Sequence, residues 1–135
     1  MKLKIMVSDA EKFVIKGIAR NRDKKYNEAI ECFDKAIDLD PEFALAMYNK
    51  GIVLDSIEKY EEALRWLDKA LEVNSEYAEA WYNKGAILLE LEKYEDALKC
   101  FKIFLDNAPP YLSSLVDRIK EVINEIENLK EYKKR

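Results

Sequence analysis

Residues 78–110 read AEAWYNKGAILLELEKYEDALKCFKIFLDNAPP, and this stretch decides the fold. Trp81, Gly85 and Leu88 fall on one stripe at spacings of four and three, and Ala97, Phe101 and Phe104 form a second. Both stripes have the period of an amphipathic helix. Glu92-Lys93-Tyr94 between them marks a turn, and Pro109-Pro110 closes the unit. The stretch therefore predicts a pair of helices.

The pattern recurs outward from there. The three glycines of the chain, Gly17, Gly51 and Gly85, are each 34 residues apart. Tyr26, Tyr60 and Tyr94 keep the same spacing, as do Ala29, Ala63 and Ala97. Phe33, Leu67 and Phe101 recur as large apolar residues, and Asn49-Lys50 recurs as Asn83-Lys84. A fixed period of this length is the mark of a stacked repeat. A glycine inside a helix costs about 1 kcal/mol against alanine. Three in register imply a steric need, a close crossing of two helices with aromatic rings filling the gaps around it. Helix starts are signalled at Ser8 with Glu11, a capping box, and at Asp40-Pro41, a cap followed by a first-turn proline.

These residues resemble the tetratricopeptide repeat. Trp81, Gly85, Ala97, Phe101 and Pro109 match that family's signature, and Phe104 stands where a small residue is usual. The second repeat carries Met47, Gly51, Tyr60, Ala63 and Ala70, with Ser75 in place of a proline. The first carries Phe13, Gly17, Tyr26, Ala29, Phe33, Ala36 and Pro41, with Arg20 where an apolar residue is typical. The resemblance spans residues 10–111. It implies an all-α, right-handed superhelical solenoid of three antiparallel helix pairs with an extended C-terminal helix. The expected organisation is a single domain over 1–135, with repeats at 10–43, 44–77 and 78–111 and a capping helix over 112–135.

Composition bounds the function. Hydrophobic residues make up 49% and charged residues 37% of the 135, as in a folded, soluble protein. The net charge of -4 opposes a nucleic-acid backbone, which needs a basic stripe. The small cluster Lys133, Lys134 and Arg135 is too short for one. Histidine is absent, so an imidazole relay or metal ligand is ruled out. Cys32 and Cys100 occupy matching places two repeats apart and are expected to fill space, not to form a disulfide or share a zinc. Neither an enzyme, a cofactor nor a metal site is expected. The short apolar patch Leu3, Ile5, Met6 and Val7 is interrupted by Lys4, so neither a signal peptide nor a membrane span is read. The expected location is cytoplasmic, and the Lys/Glu-rich, Gln-free usage suits a hot-living source.

Stacked helix pairs curve, and the first helix of each pair lines the inner face. The resemblance implies that this groove holds a peptide or helix. Projection of the helix period places Val14, Ile18, Leu45, Tyr48, Asn49, Ile52, Tyr82, Asn83 and Ala86 there, with Ile15 beside them. An exposed apolar centre marks a contact site, and tyrosines are suited to anchoring it. Asn49 and Asn83 either bond a ligand backbone or stabilise the solenoid. The expected partner is an amphipathic, partly apolar helix held by a protein-interaction adaptor. The family's two-carboxylate clamp for chaperone C-termini is not expected. Its positions correspond to Val14, Ile18, Asn49, Glu79 and Asn83, of which only Asn49 fits. The alternative is a structural subunit that self-associates through its last helix. Leu112, Leu115, Ile119, Val122, Ile126 and Leu129 form a stripe there that reads as longer than one helix pair can cover. Ile123, Ile126 and Leu129 are its candidate contacts with a second chain.

Overall fold

The computed structural model describes residues 6–134; Leu3, Ile5 and Arg135 lie outside them. All regular structure among the described residues is helical. Helices α1 (Asp9–Arg22) and α2 (Tyr26–Leu39) form the first pair, α3 (Ala44–Ser56) and α4 (Tyr60–Val73) the second, and α5 (Ala78–Glu90) and α6 (Tyr94–Asn107) the third. A 3-10 turn, Pro110–Leu112, leads into the long α7 (Ser113–Lys134). The chain divides into two compact units, Met1–Ser75 and Glu76–Arg135.

Helix α1 starts at the expected capping box. Ser8 Oγ accepts from the Glu11 amide at 3.1 Å, and the Glu11 carboxylate accepts from the Ser8 amide at 3.0 Å. Two otherwise orphaned amides are thereby satisfied. Ser8→Ala is expected to cost about 1 kcal/mol, read as a lower melting temperature by circular dichroism with native helicity unchanged. The second predicted start is corrected. Asp40 ends α2, its amide donating to the Ala36 carbonyl. Its Oδ1 accepts from the Glu42 amide at 3.2 Å, which turns the chain before α3 begins at Ala44. An aspartate can cap a helix or fold back on its own turn, and Asp-Pro does not distinguish the two.

The turns inside the pairs are built alike, and without glycine. Lys24, Glu58 and Glu92 have φ of 60, 61 and 59°. Each follows a helix end at which two backbone bonds close the turn. In the third pair, Lys93 N–H donates to Leu88 O and Glu92 N–H to Leu89 O. This is the left-handed helix stop usually given to glycine. The glycines are used inside helices instead. A Cβ on Gly17 would lie 2.5 Å from the Phe33 ring, and one on Gly85 would lie 2.6 Å from the Phe101 ring. Each ring packs against the bare backbone of the partner helix.

In the first unit the core joins Val14, Ala29, Phe33, Ala36, Ala46 and Val53, with Phe13, Tyr26, Ile37 and Phe43 packed around it. Arg20, the departure from the repeat pattern, pairs with Glu28 of α2 at 3.2 Å on the surface. Lys50 of α3 bonds Asp34 of α2 and lies 4.0 Å from the centre of the Trp66 ring on α4. One ammonium thus ties three helices together.

In the second unit Phe101 and Phe104 are fully buried. Phe104, the other departure, packs its ring on Tyr82 with centroids 5.8 Å apart and planes tilted by 52°, a favourable aromatic geometry. Helix α7 runs antiparallel along α6. Glu127 pairs with Lys102 at 3.5 Å, Lys130 pairs with Glu95, and Lys133 lies 5.1 Å from the centre of the Tyr94 ring. The Lys130 ammonium, by hydrogen bond and by charge, holds the Glu95 carboxyl below its ordinary value of 4.5.

Candidate functional site

The candidate site is an apolar helix face, and each unit carries its own part. In the first unit α1 packs on α2 and α3. Its inner stripe is Ala10, Val14 and Gly17, all buried. Val14 is only 2% exposed, which removes it from the ligand-facing set. It lies four residues after Ala10 and three before Gly17, on the stripe that meets the core. Ile15 and Ile18, rotated away from that stripe, are exposed by 60% and 37%. Leu45 on α3 is 42% exposed, and Tyr48, Asn49 and Ile52 are half-buried. Helices α1 and α3 therefore present aliphatic side chains to solvent on neighbouring elements of one unit.

The polar groups on α3 are turned toward their own helix. Asn49 Nδ2 donates to the Leu45 carbonyl at 2.8 Å, and Ser56 Oγ donates to the Ile52 carbonyl at 3.1 Å. In the second unit Asn83 Nδ2 makes the same bond to the Glu79 carbonyl, also at 2.8 Å. Each asparagine spends one N–H on its helix four residues back. The intrahelical half of the open choice for these residues is thus realised at both positions.

Tyr82 and Ala86 of the second unit line a depression with Leu89, Glu90, Arg118 and Val122. Arg118 and Val122 are absent from the sequence-predicted set, because a capping helix has no inner face of its own to project. Tyr111 is absent from it as well. Its hydroxyl donates to Glu79 Oε2 at 3.1 Å, and that bond raises the tyrosine pKa. The residue lies between two helices, where periodicity carries no signal.

The self-association set is corrected in part. Ile123 and Ile126 are buried within the second unit, Ile126 to 4%. Helix α6 has 14 residues and α7 has 22, so at 1.5 Å per residue α6 alone covers about 21 Å of α7. The pairing of Lys130 with Glu95, at the start of α6, shows that this cover extends close to the last turn of α7. Leu129, 38% exposed, and Tyr132 keep apolar surface toward solvent at that end.

Among the described residues no group of histidine, cysteine and carboxylate side chains is placed to hold a metal ion. Cys32 and Cys100 are buried free thiols. Among the described residues no helix is long and apolar enough to cross a membrane.

Helix pairs of this length, with glycine at each crossing and a large apolar side chain packed on it, define a helical-repeat protein of the tetratricopeptide class. The family model described as anaphase-promoting complex, cyclosome, subunit 3 matches residues 22–103, more than half of the chain, and the chain belongs to this tetratricopeptide-type family. No curated protein matches it. Its fold is similar to that of SycD, the type III secretion translocator chaperone of Yersinia enterocolitica, with a TM-score of 0.86 at 15% identity over 95% of this chain and 90% of that one. It is also similar to the TPR2B domain of yeast Sti1, solved as a pHsp70 complex, with a TM-score of 0.81 at 19% identity over 90% and 98%. The second TPR of Spaghetti (RPAP3), solved bound to the HSP90 peptide SRMEEVD, matches with a TM-score of 0.71 at 28% identity over 74% of this chain and 93% of that one.

Proposed function

We propose that this chain is a protein-interaction adaptor whose repeats at 10–43, 44–77 and 78–111 form one functional domain, and that it takes an amphipathic helix or peptide against the first helices of its pairs. The observation that carries this reading is the exposed aliphatic surface of Ile15, Ile18 and Leu45 on adjoining helices of the first unit. Solvent-facing aliphatics on adjoining helices are candidates for a contact surface. Ile52 and Tyr48 extend the patch; Tyr82, Asn83 and Ala86 offer a separate contact in the second unit. The solved peptide complexes of tetratricopeptide domains support a peptide as the ligand class.

The ligand is apolar on one side and does not end in a clamped carboxylate. At the five positions of such a clamp this chain has buried Val14, aliphatic Ile18, Asn49, acidic Glu79 and Asn83; only Asn49 fits, and the cations that would hold the carboxylates are missing. Two probes test the reading by calorimetry. The peptide SRMEEVD is expected to show no binding up to about 1 mM, the range of -4 kcal/mol. A synthetic amphipathic helix with one leucine face is expected to bind, and Ile15→Ser with Leu45→Ser to weaken it at least tenfold, about 1.4 kcal/mol. Both substituted side chains are exposed, so the variant keeps its core. Equal affinity in the variant sinks the assignment of this face.

A second reading, self-assembly at the end of α7, is favoured by the exposure of Leu129 and Tyr132. It is compatible with the first at Ile15, Ile18 and Leu45, which lie on α1 and α3 and not on α7.

A further inference from the structure

A cleft of about 490 Å³ lies in the second unit where the end of α5 and the start of α6 meet α7. It adjoins the depression at Tyr82 and Ala86 and shares Leu89, Glu90 and Val122 with it. Its apolar lining includes Leu89, Val122 and Leu129, and its charged lining is Glu90, Glu92 and Glu125. No lysine or arginine lines it. Among the described residues these three carboxylates have no ion-pair partner, unlike Glu95 and Glu127 close by, which hold Lys130 and Lys102. Arg118 lines the adjoining depression, and Lys133 lies over the Tyr94 ring at the margin. Three carboxylates around an apolar floor repel one another and lower the potential of the cleft. Such a site calls for a segment that brings aliphatic side chains and positive charge together.

The chain itself contains that segment. Residues 2–5 are Lys-Leu-Lys-Ile, and no acid precedes Asp9. Leu3 and Ile5 match the apolar floor in character, and Lys2 and Lys4 match the acidic rim in charge. We propose that residues 2–5 of one copy dock in the cleft between α5 and α7 of a second copy. This inference rests on the self-assembly reading and gives it an occupant and a charge code.

Charge exchange between two variants tests it. One variant carries Lys2→Glu and Lys4→Glu, the other Glu90→Lys and Glu125→Lys. Glu90 and Glu125 are both exposed. By sedimentation at low ionic strength the natural chain is expected to associate, and each variant alone to associate at least tenfold more weakly. An equimolar mixture of the two is expected to recover association, because each now offers the charge that the other lacks. The recovery weakens as salt screens the pairs. An N-acetylated peptide of residues 1–7, titrated into a chain lacking residues 1–5, is expected to bind, and not to bind when that chain carries the Glu90 and Glu125 exchanges. Association that persists undiminished without residues 1–5 overturns the arm while leaving self-assembly standing. A natural chain that stays monomeric at millimolar concentration overturns both. Peptide binding with no recovery in the mixture rules out a second copy as the occupant.

Discussion

Phe101→Ala is expected to lower the stability of the second unit by about 3–5 kcal/mol, the usual cost of removing a large buried ring. The ring is only 1% exposed. It fills the space beside Gly85, where a Cβ would come within 2.6 Å of it. Glycine on the partner helix offers no side chain to relax into the void from that side, so the cost falls at the high end. Trp81 of α5 and Trp66 of α4 lie in different units. Single-tryptophan versions, each with the other residue changed to phenylalanine, report the two units separately during urea unfolding. The Trp81 signal is expected to move to lower urea. A loss below about 1 kcal/mol, no more than an average substitution costs, would show that the ring is not the packing element described.

The converse change, Gly85→Ala, tests the same contact from the other helix. On an open helix alanine stabilises by about 1 kcal/mol over glycine. Here the added methyl would come within 2.6 Å of a buried, rigid ring, and overpacking typically costs about 1–3 kcal/mol. The expected result is net destabilisation at Gly85 and at Gly17, where Phe33 blocks the methyl in the same way. Gly51 faces Leu67 instead, with contacts of 3.0 Å to Leu67 Cγ, 3.1 Å to its Cδ2 and 3.3 Å to the Ala63 carbonyl. Gly51→Ala is therefore expected to be close to neutral, since a leucine can shift by a few tenths of an ångström. Adding Phe101→Leu to Gly85→Ala copies the second repeat's pairing into the third. The double variant is expected to be more stable than the sum of the two single losses predicts, a coupling of the kind seen between touching residues. Thermal melts of the three alanine variants and the double variant check the order. Equal effects at Gly51 and Gly85 would argue that backbone entropy, and not the ring, decides what these positions tolerate.

Much of the candidate face is legible in the chain's periodicity. The exposed positions Ile18 and Leu45 follow from the 3.6-residue period. Val14 does not, because a projection orders residues around a helix without saying which angle points at the core. For α1 that angle is set by Ala10 and Gly17, which share the buried stripe with Val14. Arg118 and Val122 escape the projection because they reach the Tyr82 depression only through the way α7 lies in the second unit. The buried part of the α7 stripe reads as free in sequence, since the number of residues that a neighbour covers depends on where that neighbour starts and in which direction it runs.

The amino-acid sequence by itself determined the helix pairs, their period of 34 and the membership of the tetratricopeptide class. Those features depend on local periodicity and on glycines and rings at matching positions, and both are written in the chain. Tertiary structure alone decided that Val14 and Ile126 are buried, that Phe104 meets Tyr82, and that Lys24, Glu58 and Glu92 take the left-handed turns. Burial belongs to two surfaces at once, so it is settled only when both helices are in place. A left-handed lysine or glutamate is disfavoured locally, by roughly 1–2 kcal/mol, and persists because the packed helices on either side leave the turn no other path.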